Sequence, residues 1–297
     1  MQLDNNFSSK VLLFGEYAII LGAKGMAIPF DKYSGYFSLA AEKNQYQNEL
    51  LEFYEYLSNL EVIASELDLD RFKSDIENNL VFNSNIPKGS GVGSSGAICA
   101  AIYQRYLKTQ KLGKLSNNND LKHLIDRMAL MESFYHGSSS GLDPLVSLAN
   151  KTLLVENRNK LSEIQKPESL KNFLIFNTGI TRKTAPLVHL FLEKMRQPEF
   201  ENSMHQFIEL NNSAIQACMS NDQDQLNSLM YQISKWQYLN LSEMIVDSVK
   251  EVWLEGIESK EYFIKLCGAG GGGHYIVYDA AMKLKGKLSN FNTLSLM

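Results

Sequence analysis

The chain is poor in cysteine and has no cysteine pattern. Cys99, Cys218 and Cys267 are its three, far apart and without CxxC or CxxH spacing. That excludes a disulfide framework and a structural zinc site, and reads as buried thiols in a reducing compartment. No basic arm stands out and the formal net charge is −4, so no nucleic-acid partner is expected. The opening MQLDNNFSSK lacks a basic segment followed by an apolar run, so a signal peptide is not expected. The most apolar stretch, VLLFGEYAIILGAKGMAIPF, is interrupted by Glu16 and Lys24. It is too broken to span a membrane. Repeats and low-complexity segments are absent from the sequence. A cytoplasmic protein with no membrane partner is the expectation, with monomer and homodimer both open.

What is present is an ordinary globular composition, 44% apolar and 21% charged over 297 residues. That length favours two packed domains or one large one. Val11–Phe14, Tyr17–Leu21, Gly35–Ala40, Leu80–Asn85, Thr152–Val155 and Phe173–Phe176 are expected strands. Helical spacing marks Asn48–Leu67 and Ser94–Lys108. After a polar loop, KLGKLSNNND, Asp120 can cap a helix over Leu121–Tyr135. Thr184–Trp253 is mostly helical, and Tyr262–Cys267 and His274–Tyr278 are late strands. The polar stretch ENRNKLSEIQKPESLK places a boundary between domains 1–165 and 166–297. The mixture is an α+β chain.

Glycine is concentrated in two places. Four glycines and three serines occupy seven of the eight positions from Gly89 to Gly96, directly before the alanine-rich run AICAAIYQRYLK. A helix start carries unpartnered N–H groups and partial positive charge, and glycines let a phosphate approach them. The plain alternative is a serine-capped helix behind a flexible loop. Gly91, Gly93 and Gly96 match GxGxxG, but a helix follows where a dinucleotide fold needs a strand ending in an acid. A GK[ST] triplet and the protein-kinase HRD and DFG signatures are absent. The second cluster, Gly268 to Gly273, has five glycines in six positions. A hairpin needs about two, so close approach of a ligand or another backbone is indicated.

Charged residues in apolar settings come next. On a helical wheel Glu132 lies about 20° from Leu121, within the face shared with Leu124, Ile125, Met128 and Tyr135. It reads as a buried salt bridge or a metal ligand. Asp143 before Pro144 reads as a helix cap or as a general base. Lys10 sits beside a buried strand, as exposed lysines commonly do, and Glu16 lies between two apolar runs, where an acid needs a partner.

Taken in order, KVLLFGEYAIILG (Lys10–Gly22), PKGSGVGSSGA (Pro87–Ala97) and KLCGAGGGGH (Lys265–His274) resemble the three motifs of the GHMP kinase superfamily, over nearly the whole chain. Details resemble its mevalonate kinase branch: Phe14-Gly15-Glu16, HGSSSGLD (His136–Asp143), and Arg182, Thr184, Leu187 and Val188 in an R-x-T-x-x-L-V pattern. Departures are Ser8-Ser9 for Pro-Gly, Tyr17 for the usual His, VGSSG for LGSSA, and His274 for a frequent Cys. GEY also occurs in phosphomevalonate kinases.

The resemblance implies a ribosomal-S5-like N-terminal domain and a ferredoxin-like C-terminal domain, with the site in the cleft between. It implies ATP and Mg²⁺ as cofactors and mevalonate as the small-molecule substrate. Asp143 would be the catalytic base and Lys10 its cationic neighbour. ATP would lie along Lys88, Gly89, Ser90, Gly91, Val92, Gly93, Ser94, Ser95 and Gly96. Ser95 and Glu132 would hold Mg²⁺; that branch shows the same 11-residue spacing between metal carboxylate and base. Glu16, Tyr17, Thr184, Gly268, Ala269 and Gly270 would lie toward the substrate. The rivals are phosphomevalonate kinase or another small-alcohol kinase, and a non-catalytic ligand sensor on the same fold.

Overall fold

The computed structural model describes residue 3 and residues 5–42, 46–109, 118–157, 160–284 and 286–297. Two antiparallel sheets organise it. The first uses β1 (Phe7–Phe14), β2 (Gly25–Leu39), β3 (Leu80–Ser84), β4 (Thr152–Asn157) and β5 (Lys160–Ile164), in the order β1-β2-β4-β5 with β3 also on β2. The second is ordered β7-β8-β6-β9, from β6 (Phe173–Asn177), β7 (Phe263–Leu266), β8 (His274–Tyr278) and β9 (Asn292–Ser295). Every strand of the first sheet ends by residue 164 and every strand of the second begins after 172. The expected α+β class holds.

Between strands of the first sheet come α1 (Tyr46–Ser58), α2 (Glu61–Glu66), α3 (Leu69–Glu77), α4 (Ser94–Tyr106), α5 (Asn118–His136) and α6 (Leu142–Ala149). α7 (Thr184–Lys194), α8 (Pro198–Ser220), α9 (Gln223–Asn240) and α10 (Asp247–Ser259) belong to the second half. Helices α4 and α6 pack on β1 and β2, and α9 and α10 pack on β7. No helix of the described residues is long and apolar enough to cross a membrane.

β1 is an edge strand of its sheet, yet all eight of its residues are buried. Its free edge is closed by the glycine-rich segment, since Lys10 N–H donates to Val92 O at 3.0 Å. Its far end meets the second half: Phe14 packs edge-to-face on Phe173, centroids 6.1 Å apart. A strand covered on both sides needs no polar alternation, which is why its sequence is apolar throughout after Lys10.

Some local expectations change. Tyr17–Leu21 is not a strand but a 3₁₀ turn over Ala18–Leu21, entered through Tyr17 at φ +62°. Only Tyr17 and Ala18 of this run are buried; Ile19 and Ile20 are half-buried and Leu21 is exposed. A short apolar run alone cannot separate turn from strand. Asn48–Leu67 divides into α1 and α2 at Leu60, whose ψ of 95° is extended. Gly35–Ala40 is the end of the longer β2. α5 begins at Asn118, and the side chain of the expected cap Asp120, like the preceding polar loop over 111–117, lies outside the described residues. Asp143 does not cap α6 either: Gly141, at φ +73°, holds that position, and Asp143 stands inside the first turn.

Candidate active site

The site grows from one close contact. A Cβ on Gly96 would lie 2.8 Å from the Asp143 carbonyl carbon and 2.9 Å from Pro144 N. Only a glycine lets α4 rest its first turn on the start of α6, so the small residue there fixes where Asp143 sits. Gly93 precedes the helix, and no side chain caps its first turn. The N–H groups and positive dipole end of α4 are therefore left for another acceptor.

Around that helix start the expected side chains converge. Lys10 Nζ is 2.7 Å from Asp143 Oδ1, with Lys10 nearly sealed and Asp143 28% exposed. Burial works to lower the Lys10 pKa, but the charge of Asp143 and its hydrogen bond outweigh it, and the ammonium is held above its ordinary value. In the first turn of α4, Ser95 Oγ donates to Glu132 Oε1 at 2.9 Å, and Ser139 Oγ donates to Glu132 Oε2. His136 Nε2 lies 3.0 Å from Ser95 Oγ. Glu132 is buried on the apolar face of α5 with Leu121, Leu124 and Met128. Its partners are hydroxyls, not the salt bridge that was one of its two sequence readings. Burial first, and the negative charge of Asp143 second, push its pKa up to about 7, against the hydrogen bonds of Ser139 and Ser95 and the charge of Lys10.

A hydroxyl and a carboxylate side by side form a hard-oxygen pair, the donor chemistry that suits Mg²⁺. Among the described residues no group of three or more His, Cys, Asp or Glu could hold a metal ion. Two protein oxygens fit a cation that takes its other ligands from phosphates and water.

The other named residues join the halves. Glu16 is buried and ion-paired with Lys265 of β7; its second oxygen, Oε2, has no partner among the described residues. Burial raises the Glu16 pKa, with Lys265 opposing. Tyr17 donates its hydroxyl to Ala269 O at 2.6 Å and stacks on Phe191 of α7, centroids 4.5 Å apart. The third motif sits against the second: Gly273, at φ +64°, would drive a Cβ to 2.4 Å from Ser90 O, which also accepts the His274 N–H at 3.1 Å. Gly268 faces the Arg182 guanidinium, and Gly270 lies against Met244. Thr184 is exposed at the head of α7 and accepts from Arg182 Nη1 at 2.8 Å. Lys88 is exposed and lies 3.5 Å from Glu49.

Arg182 itself was not singled out from sequence beyond its place in R-x-T-x-x-L-V. Its backbone N–H donates to Gly89 O at 3.2 Å, and its guanidinium fills the space that a Cβ on Gly91 or Gly268 would need. Its Nε is buried without a partner among the described residues. The signal available was the arginine two residues before Thr184. A separate cleft of about 670 Å³, lined by Asp31, Asn150, Lys151, Glu163 and Lys166, lies by the β4–β5 edge. It contains none of these residues.

Residues 55–151 match the family described as GHMP kinases N terminal domain. That span holds Gly89–Gly96, Glu132 and Asp143. The mevalonate kinase of Arabidopsis thaliana is 25% identical, in an alignment covering 92% of this chain and 89% of its own. The crystal structure of the Methanococcus jannaschii mevalonate kinase superposes with a TM-score of 0.68 at 20% identity, over 99% of this chain and 97% of that one. The phosphomevalonate kinase of Streptococcus pneumoniae superposes at 0.65 and 15% identity, over 99% and 98%. At such identities the two structures establish the fold. Fold, motif order and matched domain agree: residues 55–151 match the GHMP kinase N-terminal domain, and the chain resembles GHMP kinases over nearly its whole length.

Proposed function

We propose that this chain transfers the terminal phosphoryl group of ATP to the primary hydroxyl of mevalonate. The observation that carries the reading is the 2.7 Å contact between Lys10 and Asp143 at the uncapped start of α4. The buried ammonium holds the Asp143 carboxylate in place, and the partial exposure of that carboxylate leaves it open to a substrate hydroxyl. Asp143 accepts the hydroxyl proton as general base, and Lys10 keeps it aimed. The Gly89–Gly96 segment and the first N–H groups of α4 receive the triphosphate. Ser95 and Glu132 would hold Mg²⁺, which when bound offsets charge on the phosphate oxygens. Little covalent chemistry falls to the protein, so positioning and electrostatics carry the rate.

The site is assigned to the cleft between an N-terminal domain, 1–165, and a C-terminal domain, 166–297. Glu16, Tyr17, Thr184 and Gly268–Gly270 are assigned to the substrate end. Support comes from their grouping: Tyr17 and Arg182 both touch the third motif.

Tyr17 favours a second reading, phosphomevalonate kinase, because GEY occurs in that branch. An ADP-release assay across mevalonate, phosphomevalonate, homoserine and galactose separates the two. Turnover of mevalonate alone is expected. Turnover confined to phosphomevalonate sinks the proposal, and ATP binding without turnover of any alcohol makes the chain a sensor.

A further inference from the structure

His136 has no part in the mechanism above, yet it touches the residue proposed to meet the cation. It closes α5 one turn after Glu132 and is exposed, whereas Glu132 is buried. Ser95 has a single hydroxyl proton. With that proton donated to Glu132 Oε1 at 2.9 Å, the contact of 3.0 Å between Ser95 Oγ and His136 Nε2 requires the ring to donate. The serine oxygen then accepts one hydrogen bond and keeps one lone pair free.

The same segment holds the other member of the pair. Ser139 Oγ donates to Glu132 Oε2 and accepts the Gly141 N–H at 3.0 Å. One stretch, His136–Gly141, therefore braces both oxygens of the hard-ligand pair and leads directly to Asp143. A serine side chain alone has three staggered positions. The imidazole donor selects the one in which the hydroxyl faces Glu132.

We propose that His136 is a positioning residue of the metal site: its Nε2–H fixes the Ser95 hydroxyl so that the remaining lone pair is presented to the cation. The proposal rests on the assignment of Ser95 and Glu132 to Mg²⁺. Partners of this kind typically change metal affinity by ten- to a hundredfold; because His136 is exposed, a loss of about tenfold is expected.

The test is Mn²⁺ binding to the full chain, followed by electron paramagnetic resonance in the presence of a non-hydrolysable ATP analogue. His136→Ala should weaken Mn²⁺ about tenfold. His136→Gln, which keeps an N–H donor, should stay within about twofold of the parent. Affinity for the analogue in EDTA should be the same in all three proteins. On a Ser95→Ala background, His136→Ala should add nothing. Apo melting curves check that each variant is folded, and His136→Gln carries the test if His136→Ala is not.

Unchanged Mn²⁺ affinity in His136→Ala overturns the proposal. So does an equal loss in His136→Gln, or an additive loss on the Ser95→Ala background. Weakened binding in EDTA overturns it in favour of a direct phosphate contact. If the parent protein with analogue binds no Mn²⁺, the metal assignment itself fails and this inference fails with it. That outcome is distinct from a parent that binds while His136→Ala matches it.

Discussion

Two lysine–carboxylate pairs flank the same strand, and they are built for different ends. Lys10, on β1, meets Asp143 with 28% of the aspartate side chain exposed. Glu16, two residues beyond β1, meets Lys265 with both side chains 1% exposed. The first pair lies against the start of α4 and is open to something that enters. The second is sealed and bridges the two halves of the chain. Charge alone does not mark a catalytic group; access does.

The sharpest way to break the contrast is Asp143→Asn. Turnover should fall on the order of 10³-fold or more, while equilibrium ATP binding is kept; near-normal turnover removes Asp143 from the chemistry. Lys265→Met should instead strike stability. It leaves the Glu16 carboxylate buried without a cation, a change that costs about 3–5 kcal/mol. Denaturant unfolding would show it, and Glu16→Leu added to Lys265→Met should recover much of the loss. A single variant as stable as the parent would mean that the buried pair holds nothing.

Glu132 lies between these cases, buried like Glu16 but inside the site. Its folded pKa, about 7, exceeds the ordinary 4.5. The folded state therefore binds more protons than the unfolded one between those values. The group's stabilising contribution is full below about 4.5 and lost as the pH rises through about 7. Between pH 4.5 and 8, unfolding of the metal-free parent should lose on the order of 2 kcal/mol that Glu132→Gln does not lose. Parallel pH profiles would contradict this. The smallest effect expected is from Tyr17→Phe, which removes the hydroxyl bond to Ala269 and keeps the stacking on Phe191. About 1 kcal/mol should disappear, read as a lower midpoint in a denaturant titration at unchanged slope.

Much of the site was legible because its signals are local. The glycine-serine run before an alanine-rich stretch marks the start of α4 at Ser94, and the helical wheel places Glu132 among apolar neighbours. The placing of Asp143 was only half legible: Asp-Pro is a sound cap signal, but Gly141 took that role and freed the carboxylate for Lys10. The partner of Glu16 was not legible, since Lys265 lies 249 residues away and no local pattern specifies such a pairing. Arg182 is similar, because its meaning depends on the space left beside Gly91 and Gly268. Strands β5 and β9 are short and carry polar residues, so their sequences lack the alternation that marks a half-buried strand.

The turn after β1 also sets an order of events during synthesis. Asn211 holds the Lys24 carbonyl at 2.8 Å, Ala269 holds Tyr17, and Lys265 neutralises Glu16. A ribosome delivers the acid early and its counter-ion 249 residues later. Until then the nascent N-terminal half carries an unmatched carboxylate beside its edge strand, so its final consolidation waits for Lys265 to emerge.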